Sequence, residues 1–322
     1  MQVDIYMPRL DVMFKEGHVP EQRGPIAPIR VHWIKFIEQL YNAHDVLKDD
    51  VRVIEVPLWQ ITTEFVKEHS KDADVYYIPH KMEQTWWLDN RVRYYMQMVI
   101  PHIFSIDSKG WCATASSYPM ENLSKNTERH HLFDRVDSGE TKFDQPSSND
   151  TALSFKPYVF FPCQIPHDET IIYHSDVKVE EALEMTLDWA STTAKKVVIK
   201  GHPVNPGSME SIKKVANRYN CVWVDNFNIF DLIKNSEMVV TVNSGVGLES
   251  ILADKKVVTF GRADYDTVTW KVNPKEYRDS LSNAYNTDWI NFERYNKFIH
   301  TWYETHYDYT NPESFKKLKN FC

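Results

Sequence analysis

The sequence predicts an α/β protein of two Rossmann-like domains facing across a cleft, with C-terminal helices crossing back to the first domain. Three observations carry that expectation. Short apolar runs alternate with helix-length amphipathic segments along most of the chain, the pattern of strands and covering helices in a parallel, doubly wound sheet. A polar stretch at residues 121–150, rich in Ser, Asn, Asp and charge, separates two such regions. The length, 322 residues, accommodates two domains of ordinary size, each with its own core.

In the first region, Val31–Tyr41 places Trp33, Ile34, Ile37 and Leu40 at helical intervals. Val51–Val56 is a strand, Thr62–His69 a short helix, and Asp74–Ile78 a strand stopped by Pro79. Glu83–Val99 reads as helical, and Ile103–Ile106 as a short strand. Residues 121–150 read as an interdomain linker or mobile acceptor-side loop, which puts the domain boundary near Ser154. The domains are then 1–153, an acceptor-side unit, and 154–286, a nucleotide-sugar unit, followed by returning helices at 287–322.

The second region is more regular. Strands are expected at Pro157–Cys163, Lys196–Lys200, Cys221–Val224, Met238–Val242 and Lys256–Phe260. Helices at Val179–Ser191, Gly207–Tyr219, Ile229–Asn235 and Val246–Asp254 fall between them.

Composition narrows the function classes. Hydrophobic residues make up 42% and charged residues 25%, as in a soluble globular protein. A net charge of -8 excludes the basic face of a nucleic-acid protein. No apolar run approaches the roughly 18–20 residues that span a bilayer, and the N-terminus lacks the pattern of a signal peptide. The four cysteines have no CxxC spacing and read as reduced thiols. These features point to a cytoplasmic protein. The 10 Trp and 17 Tyr make the aromatic content high; most of them read as core, and the excess is compatible with stacking on a sugar or base. In the aromatic C-terminus, Trp302, Tyr303 and Tyr307 offer either ordinary packing or peripheral contact with a lipid-linked acceptor.

Ligands of open α/β sheets bind beyond the carboxyl ends of the strands, so the loops that follow the strands hold the candidates. Lys200-Gly201-His202-Pro203 ends one strand, and His202 there can donate a hydrogen bond to a phosphate oxygen. Asn243-Ser244-Gly245-Val246-Gly247-Leu248-Glu249 ends another. Its small residues admit an anion near the backbone, and Glu249 suits ribose hydroxyls. The plainer alternative makes Ser244 an N-cap and the glycines turn residues. After Pro157–Cys163 come Gln164 and Asp168, the latter a candidate nucleophile or a simple helix cap. Asp107, in Ser105–Trp111, would face the cleft from the first domain, or merely form an Asp-Ser-Lys-Gly turn. His130-His131 reads as solvated. The chain has no HExxH and no Cys/His cluster, so no metal or other cofactor is expected.

Together these loops resemble the capsule-polysaccharide β-Kdo transferases, retaining enzymes of the GT-B fold that use CMP-Kdo. Gln164–Asp168 matches the family's Gln-x-x-x-Asp, Lys200–Pro203 its Lys-x-His-Pro, and Ser244–Glu249 its Ser-x-x-Gly-x-Glu. Gly261–Tyr265 matches a Gly-x-x-x-Tyr segment. The resemblance covers roughly Pro157 to Trp270 and implies Asp168 as nucleophile, with His202, Ser244 and Glu249 holding CMP. It also implies Asp107 as acid/base, and a donor site completed by Gln164, Lys200, Pro203, Asn243, Gly245 and Tyr265. The implied reaction moves Kdo or a related ulosonic acid from a CMP-sugar to a glycan or glycolipid acceptor, without a metal. A sialyltransferase, a CDP-polyol phosphotransferase and a non-catalytic glycan-binding subunit are the alternatives.

Overall fold

The computed structural model describes residues 1–9, 26–80, 89–143, 145–147, 156–203 and 206–320. The chain divides into two compact units: Met1–Tyr118 with Tyr303–Cys322, and Pro119–Trp302. Each carries a six-stranded sheet among the described residues, and the α/β class expected from the sequence is the one observed.

In chain order the first unit contains β1 (Gln2–Pro8), α1 (Ile26–Val46), β2 (Asp50–Val56), α2 (Thr63–His69), β3 (Val75–Pro79), β4 (Val92–Gln97) and β5 (Ile103–Asp107). The second begins with the short α3 (Arg135–Ser138), then β6 (Tyr158–Pro162), α4 (Glu169–His174), α5 (Val179–Thr192), β7 (Val197–Lys200), α6 (Glu210–Ala216) and β8 (Val222–Val224). It continues through α7 (Ile229–Lys234), β9 (Ser236–Thr241), α8 (Val246–Leu252), β10 (Lys256–Thr259), β11 (Trp270–Lys271), α9 (Tyr277–Asn286) and α10 (Phe292–Thr305). The chain then returns to the first unit with β12 (Tyr307–Asp308) and a 3-10 helix at Pro312–Asn320.

The first sheet runs β12-β5-β4-β3-β1-β2. Strands β2, β1, β3 and β4 are parallel, whereas β5 is antiparallel to both β4 and β12. Its core forms where Trp33, Phe36, Ile37 and Leu40 of α1 pack on Val3, Ile5, Tyr77, Tyr95 and Phe104. Phe36 stacks on Phe104 with ring centroids 4.1 Å apart. Phe315 and Leu318 of the terminal 3-10 helix complete this cluster.

The second sheet runs β11-β10-β9-β6-β7-β8, parallel throughout. Its central strands are buried on both faces, as in Tyr158–Pro162 and Val197–Lys200, which is why they read as unbroken apolar runs. From β6 the chain steps outward to β7 and β8, then crosses to the other side of β6 for β9, β10 and β11. The order therefore reverses between β6 and β9, a switch point of the kind that opens a ligand crevice at the strands' carboxyl ends.

Four expectations need correction. Within Glu83–Val99, residues 83–88 lie outside the described set, but Val92–Gln97 is the strand β4, not helix. Val92, Tyr94 and Tyr95 are buried between β3 and β5, and β-branched and aromatic residues suit a strand's pleated surface. The polar stretch 121–150 is not simply a linker. Leu132, Phe133 and Val136 are buried, and the second unit begins at Pro119 rather than near Ser154. His130 is not solvated: it is 6% exposed, caps the 3-10 turn His131–Asp134, and burial pushes its imidazole down to about 4. Finally, most of α10 belongs to the second unit, where Tyr295, Phe298, Ile299 and Trp302 are buried, and the crossing back to the first unit begins at Tyr303, in the helix's last turn, rather than near residue 287.

Trp302 and Tyr307 are fully buried, which favours packing over surface contact for the C-terminal aromatics. No helix among the described residues is long and apolar enough to cross a membrane.

Candidate functional site

The switch point is held together by two of the predicted site residues. Gln164, just past β6, donates from Nε2 to Asn243 Oδ1 at 2.9 Å. Its Oε1 accepts from the Asn243 N–H at 3.0 Å and from Thr241 Oγ1 at 3.2 Å. Asn243 Nδ2 in turn donates to the Thr170 carbonyl at 2.8 Å. Both side chains are buried. They form a staple that fixes the loops after β6 and β9 against each other and against α4.

The Ser244 loop rests on that staple. Ser244 N–H donates to Thr241 Oγ1 at 3.2 Å, and Ser244 Oγ accepts from Val246 N–H at 3.2 Å, a serine turn that leads into α8 one residue ahead of its N-cap, Gly245. Tyr265 lies beneath the loop rather than open on it. It is 1% exposed, and its hydroxyl donates to the Ser244 carbonyl. A Cβ on Gly247 would fall 2.3 Å from the Tyr265 oxygen and 2.4 Å from its Cζ, so glycine is required for this ring to approach. Gly245 stays exposed at the start of α8.

On the other side of β6, Asp168 caps α4. Its Oδ1 accepts from the Thr170 N–H at 2.9 Å and from Thr170 Oγ1 at 2.6 Å. Its charge also reaches Lys142 and the His202 imidazole. Burial lowers the His202 pKa, the Asp168 charge opposes that shift, and Lys142 and Lys200 reinforce it. Lys142, half-buried, is pulled down to about 8 by desolvation against the attraction of Asp168. Phe143 meets the His202 ring edge-on at 5.7 Å, while Pro203 is exposed. The structure thus groups Asp168, His202 and Lys142 at the ends of β6 and β7.

Lys200 is buried and turns toward β8, where its Nζ donates to the Asp225 carbonyl at 2.9 Å. Gly201 allows that edge to close, because a Cβ there would lie 2.6 Å from Asp225 Oδ1. The Cys163 thiol is buried, and its pKa is pushed well up, so it is no nucleophile at neutral pH.

Asp107 belongs to the first unit and closes a turn. Oδ1 accepts from the Lys109 and Gly110 N–H groups at 2.7 and 3.0 Å. Oδ2 accepts from the Ser116 N–H at 2.9 Å and from its hydroxyl.

Glu249, on α8, is 4% exposed, and burial pushes its carboxyl up to about 7 against the pull of Arg135. Sequence reasoning missed Arg135, Lys142 and Phe143, all within the stretch read as a linker. A signal was present: Leu132, Phe133 and Val136 have the spacing of one apolar helical face. Among the described residues no group of three His, Cys, Asp or Glu side chains is gathered as metal ligands.

A family model described as capsule polysaccharide biosynthesis protein matches residues 132–293, half of the chain. Protein FixF of Sinorhizobium fredii is 34% identical over 113 residues, which is 34% of this chain and 27% of that protein. The match spans about a quarter of that relative's length. Among solved structures, the KpsC beta Kdo 2,7 transferase of Thermosulfurimonas dismutans aligns with a TM-score of 0.54 at 16% identity. That alignment covers 92% of this chain and 90% of the other. The beta Kdo 2,4 transferase of the same organism's KpsC gives 0.45 at 15% identity, over 74% of this chain and 84% of that one. At such identities the first of these likenesses is one of fold, and the fold is of the GT-B kind.

Proposed function

The chain belongs to the capsule polysaccharide biosynthesis protein family, and from that premise we propose that it is a retaining glycosyltransferase moving Kdo or a related ulosonic acid from a CMP-sugar to a glycan acceptor. The observation that carries this reading is the grouping of Asp168, His202 and Lys142 beside the switch point. A carboxylate with an ammonium group and an imidazole in its field suits a reaction in which one bond to an anomeric carbon forms as another, to a phosphate, breaks. Asp168 attacks the anomeric carbon, and the CMP phosphate leaves with the bonding electrons. His202 and Lys142 face the developing charge, so the scheme requires no metal. The acceptor hydroxyl, losing its proton to a base, then displaces Asp168 and restores the original configuration. The resemblance offers Asp107 as that base, although its hydrogen bonds are those of a turn. The Ser244 loop and Glu249 take the nucleotide, with Gln164 and Asn243 fixing the loop.

Asp168 also caps α4, so the test must separate the cap from the nucleophile. Asn caps a helix about as well as Asp. Asp168→Asn is expected to keep the protein's stability and its thermal shift with CMP while transfer from CMP-Kdo falls at least ~1000-fold. Full transfer activity in both Asp168→Asn and Asp168→Ala would exclude the nucleophile. A larger thermal shift with UDP or GDP than with CMP would exclude the cytidine donor.

A further inference from the structure

The stretch that brings Lys142 and Phe143 to the site is fastened to α10 at its other end. Asn296, buried on α10, accepts the His130 N–H through Oδ1 at 2.9 Å and donates from Nδ2 to the Glu128 carbonyl at 2.6 Å. One turn further along the helix, His300 Nε2 meets the same carbonyl at 2.8 Å. The Leu132 N–H donates to His130 Nδ1 at 3.2 Å. Around the His130 ring lie two more imidazoles, His131 at 4.3 Å and His300 at 4.7 Å between centroids.

These bonds dictate where the protons sit. A carbonyl only accepts, so His300 carries a proton on Nε2. A backbone N–H only donates, so His130 Nδ1 carries none and the ring is neutral. A proton added to Nδ1 would face the Leu132 N–H, donor against donor, and would place a buried charge beside two imidazoles. Nothing nearby offsets that charge. Arg129 pairs with Asp254 at 3.0 Å and covers the Phe133 ring. On α10, Glu293 and Lys297 pair with each other at 2.5 Å, and Lys255, after α8, donates to the Lys234 carbonyl. Glu128 and Asp134 are exposed. The charged forms of His131 and His300 both oppose protonation of His130, as does its burial.

We propose that Asn296 and the three imidazoles form an acid-labile clasp that holds residues 128–143 on the second unit and so positions Lys142 at the donor site. The inference rests on the reading of Asp168, His202 and Lys142 as that site. When His130 takes up a proton, Leu132 loses its cap, the segment leaves Asn296, and α3 with Lys142 behind it loses its anchor. Gln145, whose Oε1 accepts the Ile229 N–H at 3.2 Å, holds the far end, so the release is local.

Hydrogen exchange on the full chain without nucleotide, corrected for the intrinsic effect of pH, reads the clasp at the His130 and Leu132 amides. Closing the clasp takes His130 from an ordinary 6.5 down to about 4, so closure is at full strength above the first value and weakens as pH falls toward the second. Protection should drop about tenfold per pH unit in that window while α5 stays protected. His130→Asn supplies a cap that does not titrate and should remove the slope. Protection independent of pH in the wild type, or an equal slope in His130→Asn, would overturn the clasp. The coupling is read at about pH 7.5 by acetylation of Lys142 relative to the exposed Lys214. Asn296→Leu removes both amide bonds and should raise that ratio at least ~10-fold. Asn296→Asp, which keeps the acceptor and loses the donor, serves if the Leu variant does not fold and should give a smaller rise. An unchanged ratio in a folded variant would overturn the positioning role. The donor-site reading fails separately, as a wild type that shows no thermal shift with CMP, and exchange and acetylation then still decide the clasp.

Discussion

Replacing Gln164 with Met tests whether this side chain is a staple of the switch point or mainly a ligand contact. The substitution keeps length and approximate volume while removing every hydrogen bond. Two buried polar groups lose their partners: the Asn243 N–H, bonded at 3.0 Å, and Asn243 Oδ1, bonded at 2.9 Å. Thr241 Oγ1 also loses an acceptor, but a hydroxyl can rotate to another. Leaving a buried donor or acceptor unpaired costs about 1–3 kcal/mol each, which gives about 2–6 kcal/mol for the pair. That is a large part of the roughly 5–15 kcal/mol that holds a domain folded. Urea unfolding followed by tryptophan fluorescence, in the absence of nucleotide, reads the loss. Hydrogen exchange should locate it, with faster exchange at Asn243 and Ser244 than in the first unit. A stability loss below ~0.5 kcal/mol, within the range of ordinary surface substitutions, would refute the staple.

Other perturbations follow from the same geometry. Gly247→Ala would push a methyl group into the Tyr265 ring, which is buried and tied to the Ser244 carbonyl. Overpacking of this kind costs ~1–3 kcal/mol, measurable as a lower melting temperature, and wild-type stability would show that the ring is free to move. Asp107→Asn presents an amide to the Ser116 N–H, which needs an acceptor, and should cost ~1–3 kcal/mol in urea unfolding. Stability equal to wild type would remove the turn assignment. Glu249 makes stability depend on pH. Its carboxyl goes from an ordinary 4.5 to about 7 on folding, so the folded state holds the proton more tightly. The resulting stabilisation is present below pH 4.5 and lost as pH rises through 7, amounting to about 3 kcal/mol over that window. Glu249→Gln should therefore match the wild type near pH 4.5 and gain on it toward pH 8. A pH-independent difference between the two would contradict this.

The second sheet was legible because parallel strands buried on both faces leave continuous apolar runs, as in Val197–Ile199 and Met238–Val240. Their ends then indicated where His202 and Ser244 would lie. Strand order was not legible, and it is strand order that joins Gln164 to Asn243 across 79 positions of sequence. Both had been assigned to the ligand; the geometry shows them bonded to each other. β4 was missed because Tyr94, Tyr95 and their neighbours satisfy helical and extended spacing alike over so short a run. Arg135 and Lys142 were hidden by composition. A segment dense in charge reads as solvated, and only three apolar residues (Leu132, Phe133 and Val136) show that it is held down.

The return of the chain at Tyr303 bears on the order in which the molecule is completed during synthesis. The second unit is one continuous stretch, whereas the first takes an outer strand and the packing of Phe315 and Leu318 from Tyr303–Cys322. Until those residues leave the ribosome, β5 has an unpaired edge and the cluster around Phe36 is unfinished. The half translated first is therefore the half that closes last. A nascent chain halted near Trp302 would carry a complete Pro119–Trp302 unit beside a sheet still waiting for its outer strand.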